Sequence, residues 1–196
     1  MGSKELKAEL RKHALGRRDA IDPVARIEGS LAAAAHAAPE IGFEPGTIIA
    51  GFLPIRSEID LRPVMDMFRQ KGARLCLPVV MDKTTIVFRE LVRGATLVNT
   101  GFGTTGPGPE AEVLDPQILL MPLSAYDRNG NRIGYGAGHY DRAISRLVAK
   151  GIVPQCVGFA FSVQEVDDVP CEDHDVPLDA IVTERGFHRF RAVGKA

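Results

Sequence analysis

Apolar residues enter this chain in two rhythms. Over residues 4–18, Leu6, Leu10 and Leu15 recur at helical spacing, while Lys7 and Arg11 fall one turn apart on another face. The spacing predicts an amphipathic first helix with a basic stripe. Asp22 followed by Pro23 reads as an N-cap and a first-turn proline, and the Ala-rich run to Ala38 as a second helix that Pro39 and Gly42 close.

Further on, the rhythm changes to short apolar runs. Residues 47–53 (TIIAGFL) have the β-branched character of a buried strand, and residues 61–71 return to helical spacing up to Gly72. Residues 73–80, 84–91, 117–122, 155–161 and 179–184 repeat the strand pattern. Apolar strands without clean alternation, separated by helices, imply a mostly parallel sheet covered on both faces. The expected fold class is α/β, a three-layer αβα sandwich, with residues 1–196 forming a single domain. Residues 99–115 (NTGFGTTGPGPEAEVLD) read as a long loop, a feature often tied to function.

Composition adds mostly exclusions. The 196 residues include 24 Lys and Arg against 25 Asp and Glu, a net charge of −1. Such a balance has no basic field to gather nucleic acid or anionic lipid, so any anion site must be local. Cys76, Cys156 and Cys171 are widely spaced and suggest core or surface thiols, not a disulfide framework or zinc knuckle. No apolar stretch approaches the roughly 20 residues that span a bilayer, and a cytoplasmic protein is expected.

The chemistry concentrates in residues 129–142 (NGNRIGYGAGHYDR), where Gly134, Gly136 and Gly138 lead into the helical pattern AISRLVAK. Glycine-rich backbone feeding a helix N-terminus suits an anion, because first-turn amides lack partners and the helix dipole favours negative charge. Arg132 and Arg142 flank the loop as cations suited to phosphate oxygens. The spacing is neither GxGxxG nor a P-loop, and a tight connection is the alternative reading. Asp141 could hold Mg2+ against phosphates or simply complement the helix dipole. His174 stands among carboxylates in Glu172-Asp173-His174-Asp175, but adjacent loop residues cannot all converge on one ion.

Four separated motifs resemble those of the 5-formyltetrahydrofolate cyclo-ligase family, also called methenyltetrahydrofolate synthetases. They are KAELR (7–11), FLPIRSEID (52–60), AYDRNGNRIGYGAGHYDR (125–142) and DHDVPLDAIVTE (173–184), in family order across nearly the whole chain. The resemblance implies ATP held between Lys7, Ala8, Glu9, Leu10 and Arg11 on one side and Arg132, Ile133, Gly134, Tyr135, Gly136, Ala137, Gly138, His139 and Tyr140 on the other. It implies folate against Leu53 and Glu58, with Tyr135, Gly136, Ala137, Gly138 and His139 shared between the substrates, and Mg2+ on Asp141 and Asp179.

The implied reaction is phosphoryl transfer from ATP to the formyl oxygen of 5-formyltetrahydrofolate, then ring closure to the 5,10-methenyl compound. Such a step needs positioning and charge neutralisation more than a nucleophile. Arg132 is the expected charge stabiliser and Tyr140 a positioning group. Two residues depart from the family: Ala137 stands where animal members carry lysine, and His139 replaces the first of two tyrosines. With no Trp in the chain, an aromatic wall would come from residues such as Phe52, Phe102, Phe159 or Phe161. The family also implies a monomer with small-molecule substrates and neither nucleic-acid nor membrane partners. The alternatives are a non-catalytic folate or nucleotide sensor, and an ATP-dependent kinase or ligase for another small anion.

Overall fold

A computed structural model describes residues 2–101 and 103–190. Helix α1 (Ser3–Asp19) runs into α2 (Pro23–Glu40), whose N-cap is Asp22: its carboxylate accepts from the amides of Val24 at 2.9 Å and Ala25 at 3.4 Å. Pro39 is accommodated within the last turn of α2 and the helix ends at Glu40. Strand β1 (Ile48–Ala50), helix α3 (Arg62–Gln70) and strand β2 (Arg74–Val80) form the first parallel crossover. Then come β3 (Ile86–Glu90), β4 (Leu97–Gly101), β5 (Thr104–Pro107), β6 (Val113–Leu114), β7 (Ile118–Pro122), β8 (Ala125–Tyr126), β9 (Arg132–Ile133), α4 (His139–Ala149), β10 (Gln155–Phe159), β11 (Ala180–Thr183) and β12 (Gly186–Arg189).

Eight strands join in the order β12-β11-β10-β7-β1-β2-β3-β6. The central five, β11 through β2, are parallel, and antiparallel strands finish both edges. The α/β class and the mostly parallel sheet follow from continuous apolar strands such as β7, in which Ile118 to Met121 are all buried. One core cluster joins this sheet to α2 and α3 through Ala33, Ala37, Val64 and Phe68. A second joins the opposite face to α4 through Ala143, Ile144 and Leu147. The small side chains of α2 let it approach the sheet closely.

Two expectations change. Residues 99–115 are not one loop: β4 and β5 pair as an antiparallel hairpin, and β6 extends the main sheet. In α1 the basic stripe, not the leucine face alone, turns inward. Arg18 is buried and Lys7 and Arg11 are partly covered, while Leu10 packs on a small satellite core of Ala14, Ala125, Ile133 and Val169. Among the described residues no helix is long and apolar enough to cross a membrane.

Phe68 is fully buried and meets Phe43 edge-on at 5.2 Å between ring centroids. Phe68→Ala should cost about 3–5 kcal/mol of unfolding free energy in urea titrations, since it removes a large side chain from a close-packed layer.

Candidate active site

A cleft of about 620 Å3 opens at the carboxyl ends of β1, β2 and β7. Chain order reverses between β1 and β7, and ligands of open α/β sheets settle at such reversals. Lys4, Lys7, Ala8 and Arg11 of α1 form one wall. Phe52, Leu53, Ile55 and Glu58, which follow β1, form another, and the loop from Arg132 to Asp141 a third. Glu172, His174 and Asp175 close a corner, and Gly103, Thr104 and Thr105 of the β4–β5 hairpin reach the rim.

Most residues implied by the sequence therefore meet in one place, but not all. Glu9 is exposed and Leu10 lies in the satellite core, so neither lines the cleft. Arg142 lies outside it too: its Nε donates to the Thr84 carbonyl at 2.8 Å and its Nη2 to the Ala137 carbonyl, bracing the loop from behind. Gly138, at φ 63°, caps α4 in a left-handed conformation, and a Cβ there would stand 3.1 Å from Arg142 Nη1. His139 Nε2 lies 3.1 Å from the Lys83 carbonyl. Phe52 lines the cleft, Phe159 and Phe161 belong to the core, and Phe102 lies outside the described residues.

Asp179 is not brought to the cleft. It precedes Ala180, whose strand partner is Val157, and so stands toward the amino ends of the strands, away from the ligand side. Its Oδ2 accepts from the Cys156 amide at 2.7 Å, a role in strand pairing. The carboxylate that joins Asp141 is Asp175. Val176, its neighbour, donates its amide to Asp141 Oδ1 at 3.1 Å, and both carboxylates line the cleft. The motif around residues 173–179 contains three aspartates, and only the strand register separates them.

Three cations of this end have a carboxylate or carbonyl partner. Arg132 Nη2 contacts Asp141 Oδ1 at 2.7 Å, Lys7 Nζ contacts Asp175 Oδ2 at 2.6 Å, and Arg11 Nε donates to the Gly134 carbonyl at 2.8 Å. Burial pushes the Asp175 carboxyl up, but the bonds from Lys7 and the Glu172 amide outweigh it and hold the group below the usual carboxylate range. Among the described residues, Arg132 Nε and the Tyr140 hydroxyl are buried without a hydrogen-bond partner. Burial raises the Tyr140 hydroxyl far above the ordinary tyrosine value, so it stays a neutral donor.

At the other end, the Glu58 side chain is only 4% exposed. One oxygen accepts from the Tyr135 hydroxyl and the other from the Ile55 amide at 2.8 Å. Burial raises its carboxyl above the usual range, opposed by the Tyr135 and Ile55 hydrogen bonds and by the Arg18 charge. Arg18 was not evident as a site residue: a basic residue in the last turn of a helix ordinarily complements the dipole in solvent.

The chain turns into the loop through Asp127, fully buried between β8 and β9. Its carboxylate accepts from the amides of Asn129 at 2.8 Å, Asn131 at 3.0 Å and Val169 at 3.0 Å, and from the Asn131 side chain at 2.9 Å. Gly130, at φ 86°, completes the turn. This is why Asn-Gly-Asn precedes Arg132: the turn aims β9 and the loop at the cleft.

Fold and site together define an α/β small-molecule enzyme whose ligand has an anionic end and an apolar end bearing hydrogen-bond donors. Residues 3–184 match the model of the 5-formyltetrahydrofolate cyclo-ligase family. A 5-formyltetrahydrofolate cyclo-ligase of Mycolicibacterium smegmatis is 31% identical over 155 residues, covering 74% of this chain and 78% of that protein. One of Escherichia coli is 30% identical over 141 residues, covering 69% and 76%. The solution structure of Aquifex aeolicus 5,10-methenyltetrahydrofolate synthetase superposes with a TM-score of 0.78 at 30% identity, over 97% of this chain and 95% of that one. The fold is also that of the Mycoplasma pneumoniae 5,10-methenyltetrahydrofolate synthetase, with a TM-score of 0.73 at 22% identity over 91% of this chain and 98% of that one. The chain belongs to the 5-formyltetrahydrofolate cyclo-ligase family, and is a ligase.

Asp127→Ala should leave four N–H groups without their buried acceptor. We expect a loss of about 3 kcal/mol or more in unfolding free energy by urea titration.

Proposed function

We propose that the cleft closes the formyl group of 5-formyltetrahydrofolate onto the second folate nitrogen at the expense of ATP, giving 5,10-methenyltetrahydrofolate, ADP and phosphate. The observation that carries this reading is the meeting, in one cleft, of the cations Lys7, Arg11 and Arg132 with a buried carboxylate, Glu58, at the opposite end. A polyphosphate has the negative charge that these cations match, and a pterin has N–H groups that can donate to the carboxylate.

The formyl oxygen attacks the γ-phosphorus, and the bond to the ADP oxygen breaks. The second nitrogen then attacks the activated carbon, gives up its proton to solvent, and the carbon–oxygen bond breaks to release phosphate. An amide oxygen thereby becomes a phosphate leaving group. The chain's contribution is placement: Glu58 and Leu53 hold the folate, Lys7 and Arg11 flank the nucleotide, and Arg132 and Tyr140 donate to the transferring group.

For Mg2+ the donor set fits in part. Asp141 and Asp175 would hold it with phosphate oxygens, since this ion commonly takes one or two carboxylates and shares its substrate's oxygens. Bound there, it would neutralise charge on the phosphates. Asp179 is out of reach, and among the described residues no group of three or more His, Cys, Asp or Glu side chains forms a closed metal cage. Relocating Lys7 and Arg132 from their carboxylates to phosphates would free both aspartates for the ion. The monomeric state is taken from the resemblance, and the balanced charge gives no basic field for nucleic acid or anionic lipid.

Absorbance in the methenyl-folate band tests the reaction: it should rise only when 5-formyltetrahydrofolate, ATP and Mg2+ are all present, and no rise removes the proposal. Asp141→Asn and Asp175→Asn should each raise the magnesium needed for half-maximal rate by about tenfold or more, while Asp179→Asn leaves it unchanged. The pH dependence has a definite sign. Glu58 accepts N–H groups through both oxygens, and most strongly, when ionised, and its carboxyl is raised by burial, so the folate dissociation constant should increase as pH falls toward that raised value. Glu58→Gln should weaken folate binding and flatten this limb in a fluorescence titration.

A further inference from the structure

Arg18 has no place in the reaction described above, yet its side chain is only 3% exposed. Burying a guanidinium is costly unless its donors are satisfied and its charge is matched. Here Nε donates to Ser57 Oγ at 2.9 Å and Nη1 to the Tyr135 hydroxyl at 2.9 Å, with Glu58 Oε1 4.0 Å from Nη1. The Tyr135 hydroxyl donates its own hydrogen bond to that same Glu58 oxygen, and Ser57 donates outward to Asp19. One planar fork thus joins the last turn of α1, the segment after β1 and the middle of the glycine loop.

The geometry points to Arg18 as a positioning residue for the folate end of the site, acting through the Tyr135 hydroxyl to fix the Glu58 carboxylate. This rests on the proposed assignment of Glu58 to folate. Tyr135 is half-exposed and lines the cleft, so its ring is not locked by packing alone. With Arg18 filling one side of its oxygen, the hydroxyl proton has one remaining acceptor, Glu58 Oε1. That bond and the Ile55 amide hold both carboxylate oxygens in a set orientation, each with lone pairs left for substrate N–H groups. The charge of Arg18 favours the ionised carboxylate that burial opposes.

A lysine cannot replace this fork, because a single ammonium on a flexible stem cannot reach Ser57 and Tyr135 in fixed directions. Arg18→Lys and Tyr135→Phe should therefore raise the KM for 5-formyltetrahydrofolate by about tenfold each, the loss of one hydrogen bond within a charged network. For Arg18→Lys the KM for ATP and kcat at saturating folate should stay within about twofold. If Arg18 works through the tyrosine hydroxyl, the double variant should be no worse than the poorer single one, a strongly non-additive cycle.

The experiment is that cycle, with steady-state kinetics in both substrates, thermal unfolding of every variant, and Glu58→Gln as reference. Tyr135→Phe changes a half-exposed residue by one atom and carries the test if Arg18→Lys does not fold. Unchanged folate KM in Tyr135→Phe overturns the inference, as do equal rises in the folate and ATP KM or additive effects. If Glu58→Gln itself leaves the folate KM unchanged, the assignment of Glu58 to folate has failed and the positioning role falls with it. A folate-selective, non-additive rise on top of an effect of Glu58→Gln establishes it.

Discussion

Neutralisation of charge away from water governs how this molecule is put together. Arg18, Arg132 and Lys7 are buried or partly buried, and each is matched by a carboxylate: Glu58 and Asp175 from distant parts of the chain, Asp141 from the same loop. A cation and a carboxylate at such depth are tolerable together and costly apart. The three pairs therefore dictate where α1, the segment after β1, the glycine loop and the residues before β11 must lie. The sheet supplies the platform, and these pairs choose the arrangement of loops upon it.

The same pairs give the two ends of the cleft different characters. At the phosphate end the partners are partly buried ion pairs that line the cleft, where a ligand bringing charges of its own can replace one partner. At the folate end the carboxylate is enclosed, held from two directions and raised by burial. One end can redistribute charge during a reaction, and the other holds its geometry throughout.

Strands such as Ile118–Pro122 were readable because a run of buried apolar residues leaves little else for the backbone to do. The glycine loop was readable too, since its composition states a backbone requirement. The β4–β5 hairpin was not: its residues are largely exposed, so no apolar alternation marks it, and its pairing depends on contacts with β2. Asp175 and Asp179 could be told apart only by register, which decides which end of the sheet a residue faces. Arg18 was hidden for a different reason. Burial of a charged side chain is decided by its partners, and Ser57, Tyr135 and Glu58 lie 39 or more positions away in sequence.

The contacts of α1 with the far part of the chain span most of the sequence. Lys7 meets Asp175 across 168 positions, and Arg17 meets the carbonyls of Val163 and Glu165 across 146 and 148. Contacts this distant carry the largest loop-closure cost, which the sheet lowers by bringing the partners near. Helix α1 is thus held by the far part of the chain and not by its neighbours in sequence. A chain interrupted before residue 175 can assemble much of its sheet and still lack a wall of its cleft. Loosening of α1 alone would remove the wall that Lys4, Lys7, Ala8 and Arg11 supply.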